Sequence, residues 1–153
     1  MQQNLPPISC GPKPVSHPKS IIQYAALPYR MVDGHEEVML VTSRETKRWI
    51  LPKGQPEKRL KPHEVAAAEA YEEAGVMGSI DKDALSVFAS TKRLKNGTEL
   101  PCTIKVYGLK VKKVLDEWPE KSERERRWFS PGEAALVATE AGLIKTLQDF
   151  GSK

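Results

Sequence analysis

The sequence predicts a mixed α+β domain, and three observations carry that prediction. Two pairs of β-prone runs are each joined by a turn dipeptide, Asp33-Gly34 and Asn96-Gly97. Between the pairs lies an Ala- and Glu-rich stretch that opens on Pro62 and stops at Gly75, the punctuation of a helix. The chain then closes on a second helical pattern rich in Ala and Leu, over 131–150. Strands and helices arranged in this order give α+β.

Residues 1–20 carry several prolines and have neither the basic start nor the apolar stretch of a secretory leader, so a mobile tail is expected ahead of a domain spanning 21–150. The runs 21–31 and 36–43 form the first hairpin. RWILP, 48–52, reads as a short strand stopped by Pro52, and 53–56 as a loop. A helix over 62–74 follows. The runs 84–94 and 101–114 alternate as strands of the second hairpin. The charged stretch 116–127 is a loop or a frayed connection, RRWFS adds a short strand, and 131–150 is one closing helix. There is no internal repeat.

At 153 residues the chain is long enough for one domain with its own apolar core. With 39% hydrophobic and 29% charged residues it is neither disordered nor membrane-spanning in composition. Two cysteines, Cys10 and Cys102, in a chain without a leader are expected as reduced thiols, which implies the cytoplasm. The net charge of +4 is unevenly spread. Residues 62–81 hold five carboxylates and no Lys or Arg, which leaves +9 on the remainder. The basic run near Arg124 is interrupted by Glu123 and Glu125 and lies in no recognisable nucleic-acid motif, so a nucleic-acid partner is not expected. The sequence does not specify an oligomeric state.

Glu69, Glu72 and Glu73 stand at i, i+3 and i+4, a spacing that puts all three on one helix face. Ala67, Ala70, Tyr71 and Ala74 fall on the other side, suited to packing on a sheet. A solvated charged face is the ordinary explanation of such a helix, but two features oppose it. No Lys or Arg stands three or four residues away to relieve the repulsion, and Glu72 and Glu73 lie in the last turn, where the helix dipole disfavours negative charge. The cluster therefore calls for a cation from outside the helix. A hard divalent ion such as Mg²⁺ suits oxygen ligands, whereas the scattered Cys and His do not suggest zinc.

The stretch from Gly54 to Val76, GQPEKRLKPHEVAAAEAYEEAGV, resembles the Nudix box, with Gly54, Glu69, Ala70, Glu72, Glu73, Gly75 and Val76 in register. Two anchors differ: Leu60 stands where the box has Glu, and Ala68 where it has Arg. In the family those two residues are understood to brace the loop-helix-loop as a pair. Joint replacement is the milder change, because it leaves an apolar contact in prospect rather than a stranded charge. EEVMLVTSR, RWILPKG, VLDEW and RRWF extend the likeness toward the diphosphoinositol polyphosphate and diadenosine polyphosphate hydrolases.

The resemblance implies an α/β/α sandwich with a mixed central sheet and a metal-dependent diphosphohydrolase. It implies Mg²⁺ or Mn²⁺ on Glu69, Glu73 and the Gly54 carbonyl, with Glu72 as the general base, and a small polyphosphorylated molecule as substrate. Arg30, Lys53, Lys92 and Arg93 are candidates for holding phosphates. Arg44 beside Ser43, Arg124 and Arg126 resemble phosphate-binding positions of the subgroup. The competing expectation, motivated by Leu60 and Ala68, is a catalytically weak Nudix module that binds a phosphorylated ligand.

Overall fold

The computed structural model describes residues 21–152, so the expected tail and Cys10 lie outside the described residues. The elements are strands β1 (Ile21–Val32), β2 (His35–Thr42), β3 (Trp49–Ile50) and β4 (Lys53–Gly54), then helix α1 (Pro62–Glu69) running into a π-helical turn (Ala70–Ala74). Strands β5 (Val76–Ile80), β6 (Ser86–Arg93), β7 (Glu99–Val114) and β8 (Arg126–Phe129) follow, and helices α2 (Pro131–Val137) and α3 (Ala141–Gly151) close the chain.

Both expected hairpins form. Asp33 and Gly34 take positive φ values of 51° and 80°, which lets β2 fold back antiparallel on β1. Gly97 has φ 88°, and Leu94 and Thr98 close the β6–β7 turn. The centre of the sheet is the parallel pairing of β1 with β7, from Ile21 opposite Cys102 to Tyr29 opposite Lys110. The other pairings are antiparallel, so the sheet is mixed.

The outer edge of β1 is shared. Residues 29–32 pair with β2, and Tyr24 and Ala25 pair with β4, where the sequence pattern predicts a loop. Pro28 falls between these two pairings. The Ala26 N–H points to this edge, onto the Pro52 carbonyl, so the Pro28 nitrogen two residues on faces the same way, where no ladder partner is needed. The sheet splits there, and the split seats Lys53 and Gly54 beside the N-terminal half of β1.

The alternation of β1 divides the core. Ala25 and Leu27 point to a layer completed by Ala134, Ala138, Leu143, Leu147 and Phe150 from α2 and α3. Ala26 points to the opposite layer, with Met39, Val41, Tyr107 and Leu109 under Ala66, Ala70 and Ala74. Helices cover both faces, giving the α/β/α sandwich.

Three local expectations need correction. The closing segment is two helices, because Ala138 turns extended at ψ 148° before α3 begins. Ser130 caps α2, and Leu143, Thr146, Leu147 and Phe150 form the buried stripe of α3. β5 was not anticipated: it is five residues long and bulged between Met77 and Gly78, so its alternation is lost. The packing stripe of the central helix is Ala66, Ala70 and Ala74 at successive i+4 steps, while Tyr71 is 40% exposed.

Candidate active site

Pro62 occupies the first turn of α1, and Glu64 reaches back to accept the Lys61 N–H at 2.8 Å, which fixes where the helix starts. Its far end is wider than an α-helix. The Gly75 N–H reaches back to Ala70 O, five residues earlier, as well as to Tyr71 O. The three carboxylates expected on one face do not share one environment: Glu73 is buried at 6% exposure, Glu69 is half-buried and Glu72 is exposed.

The Glu69 and Glu73 carboxyl groups are neighbours, and each alters the other's hold on its proton. Gly54 lies against them, since a Cβ there would stand 2.5 Å from the Glu69 carboxyl carbon, and only glycine leaves room. The Lys53 backbone N–H donates to Glu73 Oε1 at 3.3 Å, and Arg124 Nη2 is 3.6 Å from Glu73 Oε2. Burial, above all, pushes the Glu73 carboxyl up to about 8; Arg124 opposes the rise and the neighbouring Glu69 adds to it. Burial also raises Glu69, with Glu72 and Glu120 contributing. Two carboxyls pressed together, one of them retaining a proton, form a donor set that a hard divalent cation suits. Among the described residues no group of three or more His, Cys, Asp or Glu side chains converges. The side-chain share at this point is therefore the pair, the number that Mg²⁺ commonly takes together with phosphates.

Beside the pair opens a cleft of about 290 Å³. Ser43, Arg44, Lys53, Arg93 and Arg124 all line it, with Arg48 and Lys92 adding cations and Glu45 the one carboxylate. A second cavity, of about 700 Å³, shares Arg44, Lys92 and Arg93 and continues to Lys95 at the β6–β7 turn. Ser43 organises the β2–β3 loop: its hydroxyl accepts the Arg48 N–H at 2.9 Å and meets the Thr46 hydroxyl at 2.7 Å. Arg44 is exposed and pairs with Glu123 at 3.2 Å. Burial pushes the Lys53 ammonium below its ordinary range, against Glu73 and Glu140.

The other two candidates lie elsewhere. Arg30 is six residues along β1 from Tyr24, the partner of Gly54, and so roughly 20 Å away. It pairs with Glu37 at 2.7 Å and stacks 4.0 Å over Trp128. Arg126 directs its guanidinium to carbonyls at the end of the π turn, Ala74 O at 3.0 Å and Gly75 O at 3.3 Å. Arg124 joins both regions, because it lines the cleft and also holds Glu120 at 2.7 Å and the Thr42 carbonyl at 3.0 Å. Sequence reasoning passed over Glu120, which has no motif to mark it, and left Trp118 without a role. The buried Cys102 thiol donates to Gln23 Oε1 at 3.4 Å, and Gln23 also faces the cleft.

A family model described as "NUDIX domain" matches residues 23–150. The chain is 30% identical to "Nudix hydrolase 13, mitochondrial" of Arabidopsis thaliana, covering 81% of this chain and 70% of that one. It is 34% identical to human "Diphosphoinositol polyphosphate phosphohydrolase 3-beta", covering 74% of this chain and 66% of that one. In fold it is similar to a Caenorhabditis elegans Ap4A hydrolase solved as a binary complex, with TM-score 0.65 and 20% identity over 86% of this chain and 96% of the other. No described helix is long and apolar enough to cross a membrane. From the box residues gathered at Gly54 and Glu73, the sandwich that seats them and the family match over nearly the whole chain, the protein belongs to the Nudix hydrolase family.

Proposed function

We propose that this chain hydrolyses a phosphoanhydride bond in a densely phosphorylated small molecule, of diphosphoinositol polyphosphate type in preference to diadenosine polyphosphate type. The observation that carries the reading is the junction of the Glu69–Glu73 pair with a cleft lined by six cations, through Lys53 and Arg124. Among the described residues that lining includes no aromatic ring on which an adenine would stack, whereas Arg and Lys suit phosphates. The 34% sequence identity to the human protein named diphosphoinositol polyphosphate phosphohydrolase 3-beta supports the same choice.

Glu69 and Glu73, with the Gly54 carbonyl, are the groups that would hold Mg²⁺ or Mn²⁺, an ion that neutralises phosphate oxygens and acidifies bound water. Glu72, the exposed carboxylate of the three, is the base in this reading. It takes the proton of the attacking water as the new P–O bond forms, and the bridging P–O bond breaks with its electron pair leaving on the departing phosphate. Ser43, Arg44, Lys53 and Arg93 hold the phosphates that do not react. Arg124 is the cation shared by carboxylates and cleft. Arg30 has no part in this chemistry.

The test is phosphate release with Mg²⁺ or Mn²⁺ from diphosphoinositol polyphosphates and diadenosine polyphosphates side by side. Turnover on the first class, falling about 10²–10⁴-fold in Glu72→Gln, is the expected result. One observation favours a second reading, a catalytically weak binding module: Leu60 and Ala68 leave the box without its ion pair, and Leu60 is 37% exposed. Ligand binding without release of phosphate would select it. The compartment we propose is the cytoplasm, consistent with the free Cys102 thiol; because similar plant relatives are named mitochondrial, organelle fractionation is the check.

A further inference from the structure

A helix ends with carbonyls that have no partner inside it, and this one has no basic residue in its last turn to meet them. Here each of the last four finds a donor, and every donor comes from the segment 115–126. Glu72 O accepts the Glu120 N–H at 3.0 Å, and Glu73 O accepts the Trp118 indole N–H at 3.2 Å. Ala74 O accepts from Arg126 at 3.0 Å, and Gly75 O accepts both the Leu115 N–H at 2.8 Å and Arg126 at 3.3 Å. The Arg126 guanidinium lies 3.8 Å over the Trp118 ring and also holds Leu115 O at 2.7 Å, so the two side chains form one clasp. Gly75, with φ 67°, passes beneath it: a Cβ there would stand 2.7 Å from both Arg126 and Trp118.

We infer that Trp118 and Arg126 are positioning residues for the carboxylate site, fixing the backbone of Glu72 and Glu73 from outside in place of the ion pair that Leu60 and Ala68 cannot form. The inference rests on reading Glu69, Glu72 and Glu73 as that site. Its physical basis is direction. A tryptophan that only fills space need not aim its N–H at the carbonyl of the buried glutamate, and an arginine that only carries surface charge need not spend its fork on three carbonyls. Small displacements of such groups cost rate and ion affinity, because their geometry must be set before the substrate arrives.

The experiment uses the full chain and Mn²⁺ alone, with free ion counted by electron paramagnetic resonance, alongside kcat and substrate KM. Trp118→Phe keeps the ring under Arg126 and removes the N–H; Arg126→Lys keeps the charge and removes the fork. Each variant is expected to bind Mn²⁺ about 10–100-fold more weakly and to lose kcat, with substrate KM and circular dichroism unchanged. Adding Leu60→Glu with Ala68→Arg is expected to restore most of that loss in Trp118→Phe while changing the parent protein less. Wild-type Mn²⁺ affinity in both single variants, or a box repair worth the same factor in both backgrounds, overturns the inference. Glu73→Gln separates the two ideas. A parent protein that does not bind Mn²⁺, or binding that survives Glu73→Gln, defeats the site reading and the inference with it. Binding lost in Glu73→Gln but unchanged in both clasp variants defeats the inference alone.

Discussion

Around Glu73 each carbonyl from Glu72 to Gly75 is engaged and the Arg124 side chain is 8% exposed. Across the cleft, Lys92, Arg93 and Lys95 stand on a hairpin where, among the described residues, their side chains have no hydrogen-bond or ion-pair partner. The two regions meet the same substrate in the proposed reaction but are built for different tolerances. Chemistry at a phosphorus needs carboxylates held to a fraction of an ångström, so that end is tied from several directions. Phosphates bristling from a small ring can be met by cations that move, and exposed side chains there can reach without straining the fold.

The contrast can be broken most sharply by removing one cation from each region. Arg124→Ala leaves Glu73 and Glu120 without their shared partner in a buried setting, and is expected to cost about 3–5 kcal/mol in denaturant unfolding. Next in size is a dependence on pH. With the Glu73 carboxyl raised from 4.5 to about 8, the folded state holds a proton that the unfolded chain releases. This contribution is full below pH 4.5 and is lost as pH rises to about 8. Metal-free protein should therefore lose about 2–4 kcal/mol over that window relative to Glu73→Gln, as read by thermal melts, and saturating Mg²⁺ should abolish the loss. Gly75→Ala puts a side chain into a left-handed backbone under the clasp and is expected to cost about 1–2 kcal/mol, with weaker Mn²⁺ binding. Smallest is Arg93→Ala: stability within about 0.5 kcal/mol of wild type, but a higher substrate KM whose salt dependence is reduced. Equal stability costs for Arg93 and Arg124 would erase the distinction between the regions.

Much of the fold was legible where a local rule governs it. Asp33, Gly34 and Gly97 bend the two hairpins because they accept positive φ, and Pro62 and Gly75 bound the helix for reasons local to each. What was not legible depends on distant partners. The π turn has no local signal in the sequence, and helical spacing alone does not show that Glu73 is buried against Lys53 and Arg124 while Glu72 next to it is exposed. β4 exists because β1 offers an edge below Pro28, and β5 because β7, already paired with β1 on its other edge, is long enough to take both β5 and β6 along one edge. Among the phosphate candidates, the structure gathers Ser43, Arg44, Lys53, Arg93 and Arg124 into one cleft and sends Arg30 and Arg126 to other tasks. Charge alone could not separate them, because an arginine's reach toward carbonyls or phosphates depends on the surface it emerges from.

The end of the box helix is closed by residues up to 52 positions later in the chain, at Arg126. During synthesis, then, the whole motif emerges long before the groups that complete it. A nascent chain that stops short of β8 has the glutamates but not their frame, and such long-range closure costs loop entropy that local helix formation cannot repay. In the proposed reading, competence for the ion thus reports on the finished fold rather than on the presence of the motif, and Mn²⁺ binding by C-terminally shortened chains should appear only once Arg126, its strand and the α2–α3 residues that complete the core are all included.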